Sequence, residues 1–255
     1  MSAFDPKRTF VTFRLTRVSI YLFQYFTLII KLAWLPMDSV LIRKSLQEVN
    51  KNLLLLILSG VCSTIIIGGV WASFSLVGVA IGILLDITIF GRISASISSY
   101  PTQNFMGIIQ TNLLNYVVVV LLLATPIFIL RIIAQSEIGG LTYYFIEQIA
   151  RMVIAIATIY VIPIVFLKKN SFISIPAGII YLSSSLQASV LIIFIVVSEF
   201  ILGTLCIFLA TSLEPILEIR LIILIRMGIS YLLFLAFAGA CHTLTHSKGH
   251  MINAN

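Results

Sequence analysis

The fold of this chain is decided by residues 185–241, which read SLQASVLIIFIVVSEFILGTLCIFLATSLEPILEIRLIILIRMGISYLLFLAFAGAC. Two apolar runs are joined there by the short acidic turn Leu213-Glu214-Pro215, and each run contains a charge, Glu199 in the first and Arg226 in the second. Runs of about 20 apolar residues are long enough to cross the hydrocarbon core of a bilayer as helices. A charge in hydrocarbon is costly unless it is paired, so Glu199 and Arg226 are the first candidates for a functional site.

The composition of the whole chain agrees with this interpretation. Of its 255 residues, 60% are hydrophobic and 10% are charged, whereas a soluble domain carries about 25% charged residues. The mean hydropathy is +1.14. The apolar residues form continuous runs without the alternation of a transmembrane β-barrel. The sequence therefore predicts an all-α, polytopic integral membrane protein.

The apolar runs predict six transmembrane helices, at about residues 53–72, 75–97, 112–133, 145–167, 186–209 and 217–240. Together they form one transmembrane domain, residues 53–241. A basic, amphipathic N-terminal region, residues 1–52, precedes this domain, and a short cytoplasmic tail, residues 242–255, follows it.

Residues 18–36 leave two interpretations open. Polar and basic side chains form one stripe at about 100° per residue; they are Arg14, Arg17, Tyr21, Gln24, Thr27 and Lys31. Such a helix lies in the membrane interface, with its basic residues against anionic lipid headgroups. The alternative is a seventh span, which would move Arg14 and Arg17 to the outside, against the positive-inside rule. We therefore expect an N-terminal amphipathic interfacial helix.

The loops predict that both termini are cytoplasmic. One face of the membrane receives the basic N-terminal region together with Arg92, Lys168, Lys169 and Lys248, and the opposite face receives Glu137, Glu214 and Glu218. This is the distribution that the positive-inside rule describes. With a small chain and short loops, it favours a multi-pass protein of a bacterial inner membrane.

Four charges fall within the predicted spans at similar depths: Asp86, Arg151, Glu199 and Arg226. At 1.5 Å per residue, Glu199 and Arg226 both lie roughly 14–15 Å below the outer surface, so adjacent antiparallel helices would bring them together. One interpretation is structural, with the four charges pairing between helices and fixing their register. The other is functional, a polar pocket or a proton pathway.

Small residues predict where helices approach each other. Gly78, Gly82 and Asp86 repeat at every fourth position and share one helix face, which predicts that Asp86 points inward. Gly78 and Gly82 form a GxxxG step, which lets a neighbouring backbone come close. Between the fourth and fifth spans, an apolar stripe within residues 168–186 predicts a second interfacial helix; its members are Phe172, Ile175, Ile179 and Leu182.

The C-terminal tail contains the only three histidines of the chain, His242, His246 and His250. Their spacing would line them along one helix face, and imidazoles at such a spacing can bind a transition metal. Gly249 weakens that helix, and no carboxylate is near to orient a ligand. The sequence contains no GxSxG, HExxH, P-loop or dinucleotide motif. We predict no catalytic residue, no cofactor and no metal site.

Two functions fit these features. The first expectation is a non-catalytic subunit or scaffold of a membrane complex, because short loops offer nothing that grips a soluble substrate and small residues suit helix packing. Its partners would be the lipid bilayer and other membrane subunits or further copies of the chain, and not nucleic acid. The alternative is a small permease in which Asp86, Arg151, Glu199 and Arg226 line a polar site. The two differ in one property, since a permease needs water to reach its charges and a scaffold keeps them sealed.

Overall fold

A computed structural model describes residues 39–67, 72–98, 104–137, 140–168, 173–210 and 215–251. The interfacial helix expected at 18–36, with Arg14, Arg17 and Lys31, lies outside the described residues. By its internal contacts the chain divides into two units, Met1–Lys44 and Ser45–Asn255. The first unit is described only from residue 39 onward. All contacts reported below belong to the second unit.

The described residues form nine α-helices and no strand, which confirms the all-helical prediction. In chain order they are α1 (Ser39–Asn50), α2 (Leu53–Ile67), α3 (Ala72–Ile97), α4 (Phe105–Glu137), α5 (Gly140–Ala157), α6 (Val161–Lys168), α7 (Ser174–Ser184), α8 (Leu186–Ala210) and α9 (Pro215–Met251).

Four stretches are long and apolar enough to cross a membrane: Gly78–Ile97 in α3, Phe105–Ile132 in α4, Leu186–Leu205 in α8 and Ile223–His246 in α9. Helices α5 and α6 give a fifth candidate if they are taken as one bent span. Several long apolar helices indicate a multi-pass membrane protein, but the predicted six spans are not confirmed. Where the first was expected, the described helix α2 has 15 residues, short of the roughly 20 that a span needs.

The predicted span 145–167 is broken in the structure. Helix α5 ends at Ala157, the chain makes a turn over residues 158–160, and α6 starts at Val161 with a bend of 41°. Pro163 explains the position of the break, because its ring has no N–H to donate and clashes with the carbonyl group four residues earlier. The hydroxyl of Tyr160, in the turn, lies 2.7 Å from Ser189 Oγ and ties the break to α8.

A cluster of aromatic rings holds the centre of the bundle together. The ring of Phe90 on α3 lies 4.4 Å from Phe237 and 5.0 Å from Phe234, both on α9. It also lies 5.7 Å from Phe166 on α6 and 6.0 Å from Tyr116 on α4. Contacts at these distances stabilise beyond the area they bury, by about 0.5–1.5 kcal/mol for each pair. Phe90 therefore fixes α3, α4, α6 and α9 against one another.

Glycines allow two close helix approaches. A Cβ atom at Gly60 on α2 would lie 3.1 Å from Met227 Cα on α9, and one at Gly178 on α7 would lie 3.0 Å from the backbone nitrogen of Val161 on α6. Backbones approach this closely only where no side chain stands between them. Gly78 and Gly82, the glycines that the sequence indicated, lie on α3 with partial exposure.

Helix α7 lies within the segment where the sequence predicts a second interfacial helix. Its buried residues are Ser174 and Gly178, and the Tyr181 hydroxyl donates a hydrogen bond of 3.1 Å to the Thr243 carbonyl oxygen on α9. Ile179, from the predicted apolar stripe, is 46% exposed. This helix therefore packs on the protein through its small and polar face and leaves apolar side chains outside.

Candidate functional site

A cavity of about 580 Å³ lies among α3, α4, α5, α6, α8 and α9. This volume is within the range of about 300–1,000 Å³ that small-molecule sites occupy. Three charged side chains line the cavity, Arg151 on α5, Glu199 on α8 and Arg226 on α9. Most other lining residues are apolar. The cavity is thus a partly open, mainly apolar cleft with a few charges.

The lengths of α8 and α9 explain why Glu199 and Arg226 meet at one cavity. Glu199 lies eleven residues before Ala210, where α8 ends, and Arg226 lies eleven residues after Pro215, where α9 begins. At 1.5 Å per residue, each charge is about 16 Å from the connection between the two helices. Further along, a Cβ atom at Gly239 would lie 3.3 Å from Ile192 Cγ1, so the two helices are in contact below the charges as well.

Arg151 has its own partner, which is Glu147 one helical turn earlier. Arg151 Nε donates a hydrogen bond of 3.0 Å to Glu147 Oε1, and Arg151 Nη2 donates a second, shorter one to the same oxygen. Glu147 is buried, whereas the Arg151 side chain is 42% exposed. Sequence reasoning missed Glu147, although an acid four residues before an arginine is a spacing that pairs on a helix.

Glu199 and Arg226 do not pair with each other. Their nitrogen and oxygen atoms are more than 4.0 Å apart, and no hydrogen bond joins either side chain to another group of the described chain. Arg226 Nε is buried without a hydrogen-bond partner. The direct pairing that the sequence suggested is therefore not what the structure has. Burying a charge without a partner costs free energy, so two such charges on one cavity call for an explanation.

Asp86 does not line the cavity. It accepts a hydrogen bond of 2.9 Å from Ser59 Oγ, which joins α3 to α2. The predicted layer of four charges thus divides into two places, with Arg151, Glu199 and Arg226 around the cavity and Asp86 in a contact between helices. Sequence reasoning did not find Ser59, because a serine in an apolar run is too common to single out.

A second polar cluster lies around Glu48 on α1. Lys51 Nζ donates a hydrogen bond of 2.8 Å to Glu48 Oε1, the Ser96 hydroxyl on α3 favours the charged form of this carboxylate, and Glu48 Oε2 is buried without a hydrogen-bond partner. Burial by itself raises the pKa of Glu48, but the polar groups of Lys51 and Ser96 and the positive charges of Lys51 and His242 outweigh it and hold the pKa below its ordinary value of 4.5. This cluster holds the end of α1 on the bundle.

The three histidines are not brought together with other metal ligands in the part of the chain that is described. His242 is partly buried, His246 is exposed, and the side chain of His250 lies outside the described residues. Where side chains are described, no group of three or more His, Cys, Asp or Glu residues is placed to hold a metal ion.

The chemistry available at the cavity is that of a binding site. A guanidinium group donates several hydrogen bonds in a plane that suits carboxylate and phosphate groups. A carboxylate accepts hydrogen bonds from ammonium or hydroxyl groups. The apolar walls suit the hydrocarbon part of a ligand. Comparison of the chain with protein families, with curated proteins and with solved structures finds no match.

Proposed function

We propose that this protein is a small membrane permease whose substrate binds in the cavity between α4, α5, α8 and α9. The observation that carries the proposal is that Glu199 and Arg226 line one cavity and leave each other unpaired. A scaffold would gain from joining these charges directly, because pairing removes much of the cost of burying them. A permease keeps polar groups available for a substrate.

The broken helix supports the same function. Thr158 and Ile159 in the break and Pro163 in α6 all line the cavity. Irregular backbone at membrane depth is tolerated where it borders a cavity or is covered by protein. Discontinuous helices at a central site are typical of secondary transporters. The break and the charges therefore belong to one site.

We also propose a membrane setting for this permease, on the basis of its sequence. The basic region at residues 1–52 and the basic loops favour a bacterial inner membrane with both termini cytoplasmic. The N-terminal basic residues Arg14, Arg17 and Lys31 would then contact anionic lipid headgroups.

Water accessibility of the cavity tests the proposal. Gly203 on α8 lines the cavity, whereas Gly228 on α9 does not. A Cβ atom at either glycine would meet nothing within 4 Å. Gly203→Cys and Gly228→Cys are therefore a matched pair that the fold can accept. Both are made in a background in which the native cysteines, Cys62, Cys206 and Cys241, are replaced by alanine.

We expect a charged, membrane-impermeant methanethiosulfonate reagent to modify Gly203→Cys and to leave Gly228→Cys unmodified in native membranes. The reagent is added to intact cells and to inside-out vesicles, since a permease opens its site to one side at a time. Unmodified thiols are then counted after denaturation. If Gly203→Cys stays unmodified from both sides, the cavity is sealed and the permease proposal is wrong.

A subunit or scaffold remains the second candidate, and α4 is the observation that favours it. Only 11% of the stretch Phe105–Ile132 is buried within the chain. Such an apolar surface fits either lipid or a partner helix. Purification of the full chain in mild detergent at native expression, with mass measurement of the complex, separates the two, since a subunit brings other membrane proteins with it in fixed proportion.

A further inference from the structure

We propose that the cavity takes an amphipathic zwitterion, a molecule with one anionic group and one primary ammonium group on an apolar body. The inference rests on the permease function proposed above and names the class of its substrate. Its basis is that one charge of each sign lines the cavity, on Arg226 and on Glu199, and that neither has an ion-pair partner among the described side chains.

The third charge does not alter this balance. Arg151 lines the cavity, but both of its hydrogen bonds to a carboxylate go to Glu147, which is buried beside it. Arg151 and Glu147 therefore neutralise each other. What remains is the positive charge of Arg226 and the negative charge of Glu199, with no net charge between them.

A ligand with only one charge would leave the other side of the cavity unmatched. An anion would compensate Arg226 and leave the Glu199 carboxylate in a mainly apolar cleft, and a cation would do the reverse. A buried charge without a partner is penalised far more than a paired one. A zwitterion matches both charges at once, so the site discriminates against single-charged analogues.

The absence of an ion pair between the two charges leaves both of them available to such a ligand. Because the Arg226 nitrogens and the Glu199 oxygens lie more than 4.0 Å apart, they do not neutralise each other directly. An anionic oxygen on Arg226 and an ammonium nitrogen on Glu199 would each complete a charge-assisted hydrogen bond. The apolar body would lie on the hydrocarbon walls, whose members include Ile154, Val196, Phe200, Ile229 and Leu233.

Two sources supply this chemistry. One is a free amino acid with a large apolar side chain, and the other is a lipid with an ethanolamine phosphate headgroup. Both carry an oxyanion and a primary ammonium on an apolar body. The cavity volume of about 580 Å³ has room for the first, and for the headgroup and the start of the chains of the second.

The test uses the full chain in detergent and two sets of probes. The first set shares one apolar body, with L-phenylalanine as the zwitterion, 3-phenylpropionate as the anion and phenethylamine as the cation. The second set has lysophosphatidylethanolamine as the zwitterion and lysophosphatidylglycerol as the anion. Binding is measured by isothermal titration, and by displacement of the radiolabelled zwitterion.

We expect the zwitterion of one set to bind at least tenfold more tightly than each single-charged member of that set, since each lost charge-assisted hydrogen bond is worth about tenfold or more. The set in which this occurs identifies the source, an amino acid or a lipid. In Glu199→Gln, the zwitterion should lose its advantage over the anion, while Glu199→Asp should retain part of it. Wild-type protein alone gives the main result, so a variant that does not fold leaves the test intact.

The experiments can reject the zwitterion as substrate class without rejecting the permease function. If an anion binds as tightly as its zwitterion, or if no probe binds while Gly203→Cys is modified by the soluble reagent, the zwitterion class is wrong and the permease stands. If the Gly203→Cys thiol is not modified from either side, the permease function and the zwitterion class are both wrong.

Discussion

Arg151 donates two hydrogen bonds to a single oxygen of Glu147, one turn earlier on the same helix. The acid is buried and the arginine reaches the cavity. This relationship lets the protein place an arginine at the cavity wall without adding a net charge there. It also means that Glu147, which does not line the cavity, sets the charge balance of the site.

The pair gives a stability prediction. Glu147→Gln keeps the shape of the side chain and removes its charge, so Arg151 loses its counter-charge. We expect a loss of about 1–2 kcal/mol, since a hydrogen bond between charged groups is worth about that much and Arg151 is partly exposed. Thermal unfolding in detergent measures it.

A double-mutant cycle with Arg151→Gln is the control for this pair. The double variant should lose less stability than the sum of the two single variants, because each single change already removes the interaction. Strictly additive losses would show that the two residues are not coupled.

The bond between Ser59 and Asp86 gives a second prediction. Ser59→Ala removes the hydroxyl that donates to Asp86 Oδ1 and leaves that oxygen without its donor. We expect a loss of about 1–2 kcal/mol, toward the upper end of measured polar contacts between membrane helices. The readout is again the unfolding temperature in detergent.

Ser198→Ala is a matched control for Ser59→Ala. Ser198 is buried to a similar degree, but its hydroxyl donates only to the Phe194 carbonyl oxygen of its own helix. Loss of that local bond should change stability by about 0.5 kcal/mol or less. If both alanine variants unfold at the same temperature, the contact between α2 and α3 contributes nothing specific.

The lowered pKa of Glu48 gives a prediction about pH. Its folded-state pKa lies below the ordinary value of 4.5, so the folded protein binds fewer protons than the unfolded chain when the pH is near these values. The contribution of Glu48 to stability is therefore complete above about pH 4.5 and is lost as the pH falls through the folded-state pKa.

Comparison of wild type with Glu48→Gln, by unfolding at about pH 7 and at about pH 3.5, checks this sign. Wild type should be the more stable at neutral pH, and the difference should shrink in acid. Lys51→Gln should show a smaller dependence in the same direction, since it removes one of the interactions that lower the pKa. A difference that grows in acid would mean that the pKa of Glu48 is raised.

The positions of the last two long helices could be predicted from the sequence because hydrophobicity is a local property. The span expected at 186–209 is the helix Leu186–Ala210, and the one expected at 217–240 lies within Pro215–Met251. The break at residues 158–160 was not predicted from the sequence, although Pro163 follows it by three residues. Proline bends some membrane helices and interrupts others, depending on what packs around the freed backbone.

The partners of the charges could not be predicted in the same way. Counting residues along a helix gives depth, and Glu199 and Arg226 do line one cavity. The direction of a side chain around the helix axis depends on packing, and a helix that is apolar on all sides does not encode it. The sequence grouped Asp86 and Arg151 with Glu199 and Arg226 because all four have a similar depth. In the structure, Asp86 instead bonds to Ser59, and Arg151 bonds to Glu147.

The equal count of eleven residues on either side of the α8–α9 connection has a consequence for insertions and deletions. One residue added between Glu199 and Ala210 would move Glu199 by about 1.5 Å along α8 and turn it by about 100°, away from Arg226. One residue added between Ala210 and Pro215 would leave both charges eleven residues from the ends of their helices. We therefore expect this hairpin to tolerate length changes in its connection and not between either charge and that connection.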